Sequence, residues 1–193
     1  MSDNTNKILQ AFLSDYSTKM YVREIAKTIG LNRQTVSETL KMMEKERLLN
    51  SKISGRQKTY SLNYRNQLTK LKIINVENTM RMNTITKRTI STLMNYLDTT
   101  STIILFGSYA KCTERKDSDI DLLIISDKIS NLERFEKETG KTIQAIYMKP
   151  EEFIDGFFRK DPLISEIVNN HICLKNTETF VDILWEANYG KTY

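Results

Sequence analysis

Residues 102–125, which read TIILFGSYAKCTERKDSDIDLLII, decide the fold of this chain. The run 102–106 is short, apolar and branched, which is typical of a buried strand, and it ends in Gly107-Ser108. The next six residues, 109–114, can form a helix. The N–H groups at the start of that helix and the Ser108 hydroxyl would then meet an anion, and phosphate is the obvious candidate.

Two carboxylates stand at the start of the next apolar run. Asp119 and Asp121 are two residues apart, and side chains alternate between the faces of a strand, so both are expected to point the same way. Such closely spaced negative charges call for a cation. Mg²⁺ suits these hard oxygen ligands, because it tends to bind through one or two carboxylates together with substrate phosphates.

The joint pattern is Gly-Ser, ten intervening positions and Asp-Ile-Asp, and it resembles the motif of the polymerase-beta-like nucleotidyltransferase superfamily. It is most similar to the minimal members of prokaryotic, archaeal type. The resemblance implies an α+β fold with a small mixed sheet and helices. It also implies that Gly107 and Ser108 hold a nucleoside triphosphate, expected to be ATP, and that Asp119 and Asp121 are catalytic ligands of Mg²⁺. Lys111 stands where a basic residue that steadies a phosphate is usual.

Two positions depart from the family pattern. Cys112 stands where the family often has glycine, and Gln144, on the later run 141–148, stands where active members carry a third carboxylate. An amide cannot act as a general base and is a weaker magnesium ligand than a carboxylate. We therefore expect nucleotide binding to survive while turnover is slow or absent.

The first third of the chain predicts three helices. Apolar residues recur at helical spacing in residues 5–13, 21–30 and 33–46, with Gly30 ending the second helix and Asn32 capping the third. Two short helices that meet at a glycine-containing turn are the helix-turn-helix signature. The outward face of the third helix carries these DNA-binding candidates: Arg33, Gln34, Ser37 and Lys41.

The spacing of the apolar residues is no longer helical in residues 51–62, and this stretch predicts two short strands around Gly55. Arg56 and Lys58 lie at or beside the tip of the predicted hairpin. Residues 1–63 also carry eleven Lys or Arg against six Asp or Glu, which is the whole positive excess of the chain. Helix, helix, helix, hairpin resembles the winged-helix families of prokaryotic transcriptional regulators. That resemblance implies a third helix in the major groove of double-stranded DNA and phosphate contacts from Arg56 and Lys58. Winged helices also mediate protein contacts, so the module alone does not prove DNA binding.

The predicted organisation is a winged helix-turn-helix domain at 1–63, a helical connector at 64–83 and a nucleotidyltransferase-like domain at 84–193. Residues 64–100 contain no Pro or Gly and carry apolar residues at helical intervals, among them Leu68, Leu71 and Ile74. A long helix in this position often serves dimerisation, but a plain packing helix explains the same stripe and is the preferred interpretation. A homodimer therefore stays open.

The sequence also bears on where the protein is located and on whether its cysteines and histidine bind metal. The amino terminus does not resemble an export signal, and no apolar run approaches the roughly 20 residues that cross a bilayer, so we expect a cytoplasmic protein without a membrane partner. Cys112 and Cys173 lack the spacing of metal ligands and are expected to be reduced thiols. His171 is the only histidine and cannot build a metal cluster by itself, so it is expected to be a satisfied or exposed histidine.

Three functions remain open. The first is a DNA-binding regulatory nucleotidyltransferase that moves a nucleoside monophosphate to a hydroxyl of a protein or small molecule. The second is a nucleotide-sensing transcriptional regulator that transfers weakly or not at all. The third is an antitoxin-like partner of a small helical ribonuclease, because minimal nucleotidyltransferases resemble components of such two-gene modules. Gln144 favours the second and third, whereas Ser108, Asp119 and Asp121 favour metal-nucleotide binding in all three.

Overall fold

The structure, a computed structural model, describes residues 3–55, 57–126 and 132–189. The chain divides into two units. Unit 1 comprises Met1–Val76 and Leu184–Tyr193, and unit 2 comprises Glu77–Ile183. The domain limits at residues 63 and 83 that the sequence suggested stay predictions.

Unit 1 begins with three helices, α1 (Asp3–Gln10), α2 (Val22–Ile29) and α3 (Arg33–Lys45). Gly30 leaves α2 in the left-handed region with φ +66°, and the Asn32 side chain accepts a 2.8 Å hydrogen bond from the third residue of α3. The predicted helices and both of these caps are confirmed. The helices bury apolar residues that recur at helical spacing, including Ile8, Leu9, Ile25, Val36, Leu40 and Met43. The first helix ends three residues earlier than the predicted range 5–13, so the buried Phe12 lies in the turn that follows it.

Three antiparallel strands complete the amino-terminal part of unit 1. They are β1 (Met20–Tyr21), β2 (Leu49–Ser54) and β3 (Gln57–Leu62), in the order β1-β3-β2. The predicted hairpin is present, and its first strand starts two residues earlier than expected. Strand β1 was not predicted, because a two-residue strand is too short to show alternation.

Helix α4 (Gln67–Ile85) covers most of the predicted connector, and the boundary between the two units falls inside it. Its buried residues include Thr69, Ile73 and Val76, whereas Leu68 and Leu71 are exposed. The interpretation of Leu68 and Leu71 as a packing stripe is therefore wrong. The buried positions recur at intervals of three and four residues from Thr69, which turns the predicted pair toward the other side of the helix.

Unit 2 is built on a four-stranded mixed sheet of β4 (Thr102–Phe106), β5 (Ile120–Ile125), β6 (Ile143–Met148) and β7 (Ile172–Lys175). The strand order is β6-β5-β4-β7. Strand β4 is antiparallel to both of its neighbours, and β5 is parallel to β6. The α+β class and the small mixed sheet are confirmed.

Strand direction brings three chain segments together at one end of this sheet. The end of β4 lies beside the start of β5, because the two strands are antiparallel, and the start of β6 lies beside the start of β5, because these two are parallel. The register pairs Phe106 with Asp121 and Asp121 with Gln144. Directly opposed residues share a face of the sheet, so Asp121 and Gln144 are neighbours.

The helices that accompany this sheet are α5 (Arg88–Leu93), α6 (Gly107–Ala110), α7 (Glu133–Thr139), α8 (Pro150–Arg159), α9 (Pro162–Asn169) and α10 (Thr177–Tyr189). Residues 184–189 of α10 belong to unit 1. One core cluster joins helices to strands and includes Ile90, Leu93, Ile103, Leu105, Ile120, Leu122, Ile124, Phe135 and Leu174. Burial of these apolar residues stabilises the unit by roughly 1.5–3 kcal/mol per side chain.

One expectation for unit 2 needs correction. The helix expected at 109–114 is the single turn α6, which starts at Gly107 and is followed by Cys112 with φ +55°. A residue with a Cβ rarely adopts that φ, and this left-handed backbone conformation ends the helix. Phe158 of α8 and Leu163 of α9 are large apolar side chains that stay 50% and 40% exposed. Among the described residues, no helix has both the length and the apolar character that spanning a membrane demands.

Candidate functional site

The turn from β4 into α6 brings the backbone close to a carboxylate. Gly107 has φ +64°, a conformation that favours glycine. A Cβ added to this residue would lie 1.9 Å from Oδ2 of Asp121, which is far closer than any real contact. Glycine is therefore required here for two reasons, and its bare backbone allows the Asp121 carboxylate to lie against the first turn of α6.

Ser108 follows as the second residue of α6 and is partly exposed. Its carbonyl oxygen accepts a 3.0 Å hydrogen bond from the N–H of Thr113, which folds the following loop back onto the turn. The structure thus places the predicted phosphate-binding pair beside Asp121. The predicted nucleotide-binding roles of Gly107 and Ser108 stay predictions.

Asp119 and Asp121 lie at the start of β5, with Asp119 just before the strand and Asp121 as its second residue. Both side chains are partly buried. The Gln144 amide Nε2 donates a 2.8 Å hydrogen bond to Oδ2 of Asp119, so the residue at the expected third-carboxylate position touches the pair directly. An NH₂ group offers a donor where a carboxylate would offer acceptors, so Gln144 cannot take a proton from an attacking hydroxyl.

The pKa of the Asp121 carboxyl is raised above its ordinary value. Burial is the largest cause, and the negative charges of Asp119 and Glu166 add to it, while the positive charge of Lys111 opposes it. Both desolvation and nearby like charge disfavour the ionised carboxylate. A cation beside Asp121 would offset both the desolvation and the repulsion between the carboxylates. The electrostatics of the site therefore favour the binding of a cation.

Lys111, the predicted phosphate ligand, caps the end of α6. Its Nζ donates to Oε1 of Glu166 on α9 at 3.0 Å. Lys111 therefore lies at the site as expected, but with a carboxylate partner that the sequence did not suggest. Glu166 sits 45 positions beyond Asp121 in the sequence, in a helix whose local pattern is that of an ordinary packing helix, so no signal in the chain could have found it.

The residues fit a cation that is shared with phosphates. Within the part of the chain that the structure describes, no group of three or more His, Cys, Asp or Glu side chains is arranged to hold a metal ion. Mg²⁺ does not need such a cage, because it usually keeps waters and binds through one or two carboxylates and substrate phosphates. Asp119 and Asp121 would supply those carboxylates, and the missing side chain of Gly107 lets the Asp121 carboxylate lie against the first turn of α6.

The DNA-binding candidates on α3 lie on its outward side. Arg33, Gln34 and Lys41 are exposed, and Ser37 is partly buried. The Gln34 side-chain amide donates a 3.1 Å hydrogen bond to Glu38 one turn later. The structure thus gathers these four side chains on one helix, and their contact with DNA stays a prediction.

The two candidates from the hairpin differ. Arg56 lies outside the described residues. Lys58 donates to both carboxylate oxygens of Glu44 on α3, at 2.6 and 2.9 Å, and its side chain is 34% exposed. The hydrogen bonds from Lys58 and Ser51 lower the pKa of Glu44. Lys58 therefore braces the hairpin against α3, and its charge is already balanced.

An open groove of about 640 Å³ lies between α2 and β3 in unit 1. It is lined by Tyr21, Val22, Arg23, Glu24, Lys27, Gln57 and Lys58. Arg23 and Lys27 are exposed and had not been singled out from the sequence. They bring two more positive charges to the side of unit 1 that carries Lys58.

Comparison with known proteins bears on unit 2. Residues 87–179 match the family model described as "Polymerase beta, Nucleotidyltransferase". This segment contains β4, α6, β5 and β6, so it includes Gly107, Ser108, Asp119 and Asp121. The match supports a nucleotidyltransferase domain in this part of the chain. No curated protein and no solved structure matched the chain.

Proposed function

We propose that residues 87–179 bind a nucleoside triphosphate together with Mg²⁺ and transfer its nucleoside monophosphate to a hydroxyl acceptor. One observation carries the proposal. Asp121 lies against the bare backbone of Gly107, with Asp119 beside it, in a segment that is similar to the nucleotidyltransferase family. This arrangement presents two carboxylates and a backbone turn to the same small volume.

The side chains divide the work in this proposal. Asp119 and Asp121 would hold Mg²⁺, which would supply the charge neutralisation that phosphoryl chemistry needs. The Ser108 hydroxyl donates to a phosphate oxygen, and Lys111 places a positive charge beside the leaving pyrophosphate.

Gln144 supports a second candidate, a nucleotide-sensing regulator that transfers feebly. Its amide donates to Asp119 and provides neither a general base nor a carboxylate for a second metal. General acid–base assistance contributes about 10²–10⁴-fold to such reactions, so a site without it is expected to bind far better than it turns over.

We further propose that the first third of the chain binds double-stranded DNA as a winged helix and connects the nucleotide site to gene regulation. The element order α1, β1, α2, α3, β2, β3 and the antiparallel order β1-β3-β2 support this proposal. So do the exposed Arg33 and Lys41 and the positive excess of this segment. Phosphate contacts are the main source of affinity in such complexes.

The test uses ATP labelled at the α-phosphate, with Mg²⁺, incubated with the full chain alone and with cell extract. Calorimetry of Mg-ATP binding accompanies it. The matched control is the double variant Asp119→Asn/Asp121→Asn, which removes both charges without removing side-chain volume. Label transfer that the control lacks supports the transferase. Binding without transfer supports the sensing candidate, and the absence of both from the wild type overturns the proposal.

A further inference from the structure

The Lys111–Glu166 ion pair joins two segments of unit 2 at the candidate site. Lys111 ends α6, which also begins with Gly107, and Glu166 is the fifth residue of α9. The Nζ to Oε1 distance is 3.0 Å, and the two side chains are 38% and 59% exposed. Both therefore remain accessible to a ligand that enters from solvent.

Helix α9 holds Glu166 in place. The Asp161 side chain caps this helix by accepting from the N–H groups of Leu163 and Ile164, at 2.9 and 3.1 Å. Ile164 and Ile167 are buried, and a Cβ on Gly156 of α8 would lie 2.1 Å from Ile164 Cδ1, so α8 and α9 pack closely. The position of Glu166 is therefore set by packing rather than by its own salt bridge.

Charge at the site is unbalanced. Asp119, Asp121 and Glu166 are carboxylates that interact electrostatically, and Lys111 is the ammonium group that opposes them at Asp121. When all four are ionised, the group carries a formal charge of −2. A triphosphate anion approaching this group meets repulsion, and the ammonium that could attract it is already paired.

We propose that Glu166 is a positioning residue that holds Lys111 in the nucleotide-free protein and gives it up to a phosphate when a triphosphate binds. This inference rests on the proposed nucleotide binding. An exposed ion pair contributes little free energy, so its exchange for a Lys–phosphate contact is easy. Lysine serves as a point charge for phosphate and needs no fixed geometry to make the exchange. Glu166 thereby sets the affinity of the site for nucleotide.

The experiment measures binding of α,β-methylene-ATP with Mg²⁺ by calorimetry, because nucleotidyl transfer cannot cleave this analogue. The proteins are the full-length wild type, Glu166→Gln, Lys111→Ala and the double variant. The control is Glu151→Gln, which removes an exposed carboxylate of α8. We expect Glu166→Gln to tighten binding about two- to tenfold, and the same change to alter binding less than about twofold when Lys111 is already alanine. The control should leave affinity unchanged.

The other outcomes separate this inference from the function on which it rests. Weaker binding by Glu166→Gln would show that Glu166 is a ligand of the cation, and equal tightening with and without Lys111 would show a general charge effect. Either result overturns the exchange while nucleotide binding stands. An absence of binding by the wild type and by Glu166→Gln overturns both.

Discussion

A buried ion pair in unit 2 provides the sharpest test of this structure. Glu77 of α4 and His171, next to β7, are 0% and 2% exposed, and Glu77 Oε1 lies 2.9 Å from His171 Nε2. The Nδ1–H of His171 donates to the carbonyl of Val168 at 2.6 Å, since a carbonyl can only accept. With Nδ1 protonated, a proton is shared between Nε2 and the carboxylate.

The raised pKa of His171 places that proton on the imidazole rather than on the carboxylate. Burial alone lowers it, but the negative charge of Glu77, its hydrogen bond and the bond to Val168 raise it by more, so the pKa stands above its ordinary 6.5. The neighbouring Cys173 does not change the outcome, because burial raises the pKa of its thiol to about 12 and it stays neutral.

Replacement of Glu77 by alanine leaves the imidazole buried without its partner. Because neither side chain is reached by solvent, we expect a loss of about 3–5 kcal/mol in the free energy of unfolding. Glu77→Gln should cost less, about 1–2 kcal/mol, since an amide can still hydrogen-bond to a neutral imidazole. An exposed control on α10, Glu178→Ala, should change stability by under about 1 kcal/mol.

The pKa shift of His171 makes the free energy of unfolding depend on pH in a definite direction. A histidine whose folded-state pKa is raised stabilises the fold fully below the unfolded value of 6.5, and this contribution disappears as pH rises through the folded pKa. Wild-type stability should therefore fall above pH 6.5. In Glu77→Gln the charge that raises the pKa is gone and burial dominates, so stability should rise with pH up to about 6.5 and should not fall above that value.

The assay is urea denaturation of the full chain from pH 6 to pH 9, followed by circular dichroism. Amide hydrogen exchange in β4 and β5 assigns the loss to unit 2, because a chain of two units need not unfold in one step. The double variant Glu77→Ala/His171→Ala measures the coupling between the pair. A loss in Glu77→Ala no larger than that of the control, or the same pH slope in Glu77→Gln and the wild type, would refute the reasoning.

Three further outcomes are expected. Asp119→Asn/Asp121→Asn should abolish Mg²⁺-dependent ATP binding in calorimetry without lowering the unfolding midpoint, since the pair consists of repelling charges; unchanged affinity would mean that the site is misassigned. Gln144→Glu should raise label transfer by up to about 10²-fold if the remaining geometry is sound; vigorous wild-type transfer that the variant does not increase would contradict this expectation. Arg33→Ala/Lys41→Ala should weaken binding of the full chain to duplex DNA and reduce the salt slope of log Kd by about 2, as titration at several salt concentrations can show; an unchanged slope would mean that neither side chain contacts a phosphate.

Much of this protein follows from local sequence. The helices of unit 1, their Gly30 and Asn32 caps, the hairpin and the strands around Gly107 all follow from apolar period and turn chemistry, which act over a few residues. The neighbouring positions of Gly107, Ser108, Asp119 and Asp121 are likewise implied by one continuous motif of 15 residues. Gln144 was singled out by the resemblance to the family, whose active members carry a carboxylate on the later run 141–148, and its amide donates a hydrogen bond to Asp119.

What only the tertiary structure decided depends on which distant segments meet. Glu166 reaches Lys111, Lys58 reaches Glu44, and Glu77 reaches His171 across 94 residues. Each pair joins segments whose apolar periodicity is that of ordinary helices and strands. The sequence around one partner therefore does not predict the other partner. The hydrophobic periodicity of a helix indicates which of its faces is buried, but it does not indicate which element that face packs against. The packing of whole elements decides that, and with it which charges at the site are balanced.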